Sequence, residues 1–327
     1  MENRAISKTV SNRNAAIDVM KGIAILSVIM GHFESVPNIT HWIFSFHMPL
    51  FFFIAGFLHK RTVSREVFVK DVKRLLLPYA FTMGILLFYS TMVNCLIRQN
   101  LHQLGLTFWA IIYPTGTSYA NSVPIWFLFA LFWSRLLFGS LLRITNSNLS
   151  ACIAIVIGLS ITYIKELIPF ELPFAIMAGL SALVFYGIGF IYHQYYQKIP
   201  RITYILILIC WIAFYRFCSI NMVSCYYSNY PLAIVCALGG IVGIYALSLL
   251  IIRAKGEGFI KWFGINSLII LTAHTIERYL PFTYSILAQY ISIWWIFLIK
   301  VIICTLFTLL CYKFAFTRYI YSLSKKQ

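Results

Sequence analysis

The sequence predicts an all-α integral membrane protein, about ten transmembrane helices packed as one bundle with both termini on the cytoplasmic side. Three observations carry this. Hydrophobic residues make up 61% of the 327 and charged residues only 11%, more apolar side chain than a water-soluble domain can hide. Ten apolar runs are each long enough, at about 20 residues, to cross the hydrocarbon core as a helix. Lys and Arg collect in alternate connections, as the positive-inside rule requires.

The runs fall at 15–33, 41–59, 75–97, 122–142, 149–168, 175–193, 202–220, 231–252, 264–282 and 290–312. Basic residues gather at the N-terminal end (Arg4, Lys8, Arg13 and, in the first turns of the first run, Lys21), between the second and third (Lys60, Arg61, Arg65, Lys70, Lys73, Arg74), and in every second connection thereafter. Twenty of the 26 lie on that side, which makes it cytoplasmic. The net charge of +17 therefore reads as topology. Nucleic-acid binding would call for a continuous basic stripe, so nucleic acid is not an expected partner.

No small-residue cleavage pattern follows the first run, which is expected to be a retained helix. The connection 98–121 holds a short aromatic stretch, Leu106 to Tyr113, suited to lie in the interface or dip inward. The eight cysteines show no metal-ligand spacing; Cys218 and Cys225 are the one pair placed to meet near an outer loop. With no repeat and no soluble appendage, residues 1–327 read as a single transmembrane domain with a short cytoplasmic N-terminus (1–14) and tail (313–327).

Ionisable groups inside spans are costly and need a partner, a water-filled cavity or a function. The first helix carries Asp18, Lys21 and His32. Eleven steps of about 100° bring Lys21 and His32 to within about 20° of one direction, about 16.5 Å apart along the axis. They share a face, a polar track across the membrane; an Asp18–Lys21 ion pair at the headgroups with an interfacial histidine fits this helix equally well. In the second helix His47 comes to a similar depth, beside Pro49, which removes a backbone donor. Arg135 lies inside the fourth span.

The segments Asp18-Val-Met-Lys21-Gly-Ile-Ala-Ile…His32 and Phe46-His47-Met-Pro-Leu-Phe-Phe-Phe-Ile-Ala-Gly-Phe-Leu58 closely resemble the membrane acyltransferase-3 family, in its branch of fucose 4-O-acetylase-like or surface-polysaccharide O-acetyltransferases. Lys73-Arg74-Leu-Leu-Leu-Pro78-Tyr79, Trp126-Phe-Leu128, Tyr186-Gly-Ile-Gly-Phe190 and Gly264-Ile-Asn-Ser-Leu268…His274 are similar to later blocks of the family, in the same order. Two positions depart. Lys21 stands where the family often has Arg, keeping the charge but not the bidentate fork, and Ala55 replaces a common serine.

The resemblance implies an enzyme of the bacterial inner membrane. It would transfer an acyl group, usually acetyl, from cytoplasmic acetyl-CoA to a hydroxyl of an envelope glycan such as O-antigen or capsule. Such attack on a thioester needs no metal, only a base and a field that tolerates the oxyanion. His32 is the expected base, with His47, Asp18 and Lys21 completing the catalytic set; a covalent acetyl-histidine relay is an open alternative. Lys21, Lys73, Arg74 and Arg135 are candidates for the CoA phosphates. His274, Glu277, Arg278, Trp126 and Arg216, with Tyr113 and Tyr119, are candidates for the acceptor. A transporter or flippase of an envelope glycan or lipid-linked intermediate also places polar groups at the midplane, but no inverted repeat accompanies them.

Overall fold

The computed structural model describes residues 2–33, 37–60, 64–93, 101–116, 122–168, 170–278 and 290–323, the side chains of 2–14, 101 and 166 excepted. Tyr119, one of the acceptor candidates, lies outside the described residues. The helices are α1 (Glu2–Gly31), α2 (Pro37–Phe44), α3 (His47–Phe57), α4 (Arg65–Asp71), α5 (Leu77–Ser90) and α6 (Leu101–Ile112). They continue as α7 (Trp126–Ile144), α8 (Ser147–Ile164), α9 (Ile176–Ser181), α10 (Leu183–Tyr195) and α11 (Arg201–Phe214). The last are α12 (Tyr230–Arg253), α13 (Glu257–Ile265), α14 (Ser267–Arg278), α15 (Ile293–Lys313) and α16 (Ala315–Ile320). A two-stranded hairpin, β1 (Ile220–Asn221) and β2 (Tyr226–Tyr227), is the departure from an all-helical chain.

Among the described residues seven helical stretches are long and apolar enough to cross a bilayer: 37–57, 65–93, 126–144, 147–164, 176–198, 230–253 and 293–313. They overlie seven of the ten runs expected from the sequence. The ninth run is a bent pair, α13 and α14 meeting at 74°, which makes an eighth span if counted as one. The first run is helical to Gly31 within α1. The seventh gives α11, whose 14 residues reach only about 21 Å before a 3-10 turn and the hairpin. Among the described residues, length and composition thus support seven or eight of the ten expected spans.

α1 is the central helix. It touches α2, α3, α12, α13, α14 and α15, and Ala16, Val19, Ala24 and Ile29 are fully buried on it. α11 is an outer one: Ile202, Ile205, Ile209 and Ile212 are more than half exposed while Trp211 is buried, the pattern of a helix with one face to lipid. Close approach of α1 to α13 and of α3 to α10 rests on glycines. A Cβ on Gly264 would overlap the Asp18 carbonyl oxygen, and one on Gly56 the Tyr186 carbonyl oxygen. Gly56 therefore serves helix contact, as expected from its place in an apolar helix.

Three breaks shape the interior. The second span stops at Ser45 and Phe46 and restarts at His47, so Pro49 sits in the first turn of α3, where its missing N–H leaves no bond unmade. In the third span five residues, Val72–Leu76, form a π-helical turn. Pro78 explains it, because a proline cannot donate to the carbonyl four residues back, at Arg74, and its ring crowds that carbonyl. The bend between α13 and α14 falls at Asn266, whose Nδ2 donates to the Trp262 carbonyl (2.9 Å) and whose Oδ1 accepts from the Tyr312 hydroxyl (2.7 Å). Leu106–Tyr113, expected to lie in the interface or dip inward, belongs mostly to α6, which packs on α5 with Ala110 buried and Phe108 and Trp109 exposed. Cys218 and Cys225 are both free thiols.

Gly56→Ala is expected to destabilise the detergent-solubilised protein by about 1–3 kcal/mol through overpacking. Gly84→Ala, at a site where an added Cβ meets nothing within 4 Å, is expected to cost nothing. Paired thermal unfolding curves check this, and an equal shift for both would remove the role given to the α3–α10 contact.

Candidate active site

A cavity of about 450 Å³ runs through the bundle. Lys21, Ile25 and Val28 of α1 and His32 just past its end line it, spaced four, three and four residues apart, so one helical stripe forms a wall. The polar track expected from the sequence is that wall. α3 adds His47, the fourth span adds Trp126 and Arg135, and residues 220–223 of the hairpin cover the His32 end. At the other end His59, Lys60, Lys70, Asp71 and Arg74 complete the lining, Arg74 from within the π-helical turn.

The His32 end carries a polar network, exposed at Arg278 and buried at His274, Glu277 and Lys300. The Arg278 guanidinium, Nη1, donates to His32 Nδ1 at 2.7 Å. A guanidinium can only donate, so the Nδ1 lone pair is engaged and the neutral ring holds its proton on Nε2. The His274 ring lies beside it, centroids 5.2 Å apart. His274 Nδ1 donates to Glu277 Oε1 (2.8 Å), and Lys300 Nζ donates to the same oxygen (3.2 Å). His274 Nε2 is buried and has no partner among the described residues. His47 Nδ1 donates to the Ile43 carbonyl (2.8 Å), made possible by the break before α3; the neutral His47 ring therefore keeps its lone pair on Nε2. Lys300 also stands over the Phe33 ring at 5.0 Å.

The opposite end is cationic. Lys21 pairs with Asp18 (2.7 Å), so the ion pair and the cavity wall, posed as alternatives by the sequence, coexist. Arg135 Nε donates to Asp71 Oδ2 (2.9 Å). His59, two residues beyond the second span, is bonded through Nδ1 to the Tyr186 hydroxyl (2.5 Å). Burial, and then the charge of Arg135, lower its imidazole to about 4, so it is neutral at pH 7.

Several expected site residues stand elsewhere. Lys73 is exposed and absent from the cavity wall. Arg216 lies after α11, its Nε donating to the Tyr215 hydroxyl (3.1 Å), also off the wall. Tyr113 packs on Trp109, centroids 5.9 Å apart, outside the cavity. Glu277 is 1% exposed and engaged by His274 and Lys300, so it is an internal support and has no free face for an acceptor. His274 is likewise fully buried. Lys165 bonds the Ser224 carbonyl, tying α8 to the hairpin. The wall residues His59, Lys60, Lys70 and Asp71 were not among the sequence candidates; Lys60 and Lys70 read there as topology signals, and the Tyr186 block that bonds His59 was the one available pointer.

A family described as an acyltransferase domain, acyltransferase-3, matches residues 14–313. The chain belongs to the acyltransferase-3 family. Its apolar helices make it a multi-pass membrane protein, and the six blocks that carried the resemblance fall on the spans around the cavity or their close contacts. The chain is also similar to the nodulation protein NolL of Sinorhizobium fredii (strain NBRC 101917 / NGR234), 33% identical over 98 residues. That match spans 25% of this chain and 26% of NolL, about a quarter of the relative's length. No solved structure matches the chain.

Removing one member of a buried charged pair leaves the other uncompensated, at a cost of about 3–5 kcal/mol. Lys300→Met is therefore expected to lower the thermal midpoint sharply, and Lys300→Met with Glu277→Gln to recover part of the loss. Additive losses in the double variant would show that the two groups do not act as a pair.

Proposed function

We propose that this acyltransferase moves an acetyl group from cytoplasmic acetyl-CoA to a hydroxyl of a cell-envelope glycan, in the bacterial inner membrane, with its N-terminus cytoplasmic. The observation that carries the reading is one cavity with cations at one end and His32 and His47 at the other. Lys21 and His32 are about 16.5 Å apart along α1, a distance comparable to an extended pantetheine arm. With phosphates at the cationic end, Lys21, Arg74 and Arg135 supply charge-assisted hydrogen bonds, and the thioester comes to the histidines.

His32 is the general base of this proposal. Its Nδ1 lone pair is capped by Arg278, so the acceptor hydroxyl takes the place of that guanidinium and donates to Nδ1. The hydroxyl oxygen attacks the thioester carbonyl carbon as its proton passes to His32. The C–S bond then breaks, and the departing sulfur takes the proton back as the thiol. Arg278, displaced but still adjacent, is the donor for the oxyanion. His47, with its lone pair on Nε2, is the second basic group of the cavity and the place where an acetyl-histidine relay would form. Trp126, buried on the wall, offers a flat face to a sugar ring.

Purified protein supplied with acetyl-CoA and a glycan acceptor is expected to release free thiol and acetylate the acceptor. His32→Ala is expected to slow both by about 10²- to 10⁴-fold, the usual worth of a general base, with KM for acetyl-CoA little changed. Transfer unaffected by His32→Ala would sink the assignment of the base. Movement of a glycan across vesicles without acetyl transfer would favour a transporter instead.

A further inference from the structure

α11 runs into a 3-10 turn, Tyr215–Phe217, and the chain then passes through Cys218 into the hairpin. Cys218 Sγ lies 3.8 and 3.7 Å from the carbonyl oxygens of Phe214 and Tyr215. Cys236, in the second turn of α12, has its Sγ 3.9 Å from the Cys210 carbonyl oxygen. Cys210 and Phe214 are four residues apart, on successive turns of one face of α11. The two sulfurs therefore lie against neighbouring turns of that face, and the Cys236 thiol donates a hydrogen bond to Cys218. Both side chains are buried.

This contact favours one chemistry. The hydrogen bond from Cys236 lowers the Cys218 thiol from its ordinary value, and the thiolate is the form that attacks a disulfide. Cys225, placed by spacing to meet Cys218, has a different setting. Burial pushes it up to about 11, and its neighbours are the Ser181 hydroxyl and the Met222 carbonyl oxygen (3.9 Å). Cys210 also touches Cys236, but from within α11, the helix with a face to lipid, where a charged thiolate is costly.

We propose that Cys218 and Cys236 are a disulfide-forming pair, joined in the mature protein. The inference rests on the cytoplasmic N-terminus proposed above, which puts the hairpin and its flanks on the outer side, where disulfides form and persist. The oxidant is a disulfide-bearing oxidoreductase of that compartment, acting on the chain before this segment is buried. The Cys218 thiolate attacks its disulfide, and the Cys236 sulfur then displaces it from the mixed disulfide. Two S–H bonds give way to one S–S bond, and the oxidant leaves with both electrons and both protons as a dithiol. The closed loop contains β1 and β2, so the segment over the His32 end of the cavity is tied at its base to α12.

The test uses full-length protein purified from membranes, with free thiols trapped by N-ethylmaleimide in denaturant, digested without reductant and mapped by mass spectrometry. A peptide joining Cys218 to Cys236 is expected, with Cys210 and Cys225 alkylated. A second sample, isolated under reductant, is treated before trapping with diamide, a small neutral oxidant of paired thiols. If only the diamide sample carries the link, the pair stands and the outward orientation of the hairpin fails. A link from Cys218 to Cys225 or from Cys210 to Cys236, or no link in either sample, would overturn the pair. Linked wild type is also expected to unfold a few degrees above reduced wild type, the effect of closing a short loop. The variant Cys218→Ser with Cys236→Ser is expected to lose that dependence on reductant, and its persistence there would overturn the pair as well.

Discussion

The interaction on which the interior depends is the carboxylate of Glu277, which binds a lysine and a histidine through one oxygen. A lone charge in so dry a place is expensive. Lys300 compensates it from α15, and His274 takes its direction from it within α14. Because the His274 ring lies beside His32 and Arg278 holds His32, the chain of contacts links α14 and α15 to the wall that α1 presents to the cavity. Without that support the histidine end of the cavity would lack a fixed orientation.

The helix breaks follow the same economy of backbone groups. Each interruption in a span leaves polar groups in need of partners, and here each is met by a nearby group. The break before α3 frees the Ile43 carbonyl, and His47 donates to it. The bend between α13 and α14 is held by the Asn266 side chain. The π-helical turn before Pro78 lies beside the cavity, with Arg74 on the wall and Lys73 off it. The irregular backbone thus lies along the cavity, while the lipid-facing helix α11 is regular. Close glycine contacts fix where the helices can meet, with Gly264 against Asp18 and Gly56 against Tyr186.

Much of this was legible in the chain. The amphipathic stripe from Lys21 to His32, the depth of His47 and the intramembrane Arg135 follow from helical periodicity and from the cost of charge in hydrocarbon, and all four residues line one cavity. The His274–Glu277 spacing of three residues was visible too, but its partner Lys300 lies on another helix and pairing between helices has no signature in sequence. Lys60 and Lys70 look the same as any other cytoplasmic anchors, and their place on the wall depends on how α4 packs. Arg216 and Lys73 were plausible by depth and failed by rotation about the helix axis, a coordinate that local sequence leaves loose near a helix end.

By itself the sequence determined the solvent of this protein, its helical class, the family to which its blocks belong and the face of α1 that carries chemistry. These depend on composition and on a repeat of 3.6 residues, which are local properties. Only the tertiary structure decided that Glu277 is an internal support, that Arg278 caps His32, that the ninth run is bent, and that Cys218 meets Cys236. Those depend on which helices touch and at what rotation, and the packing of the whole bundle sets both.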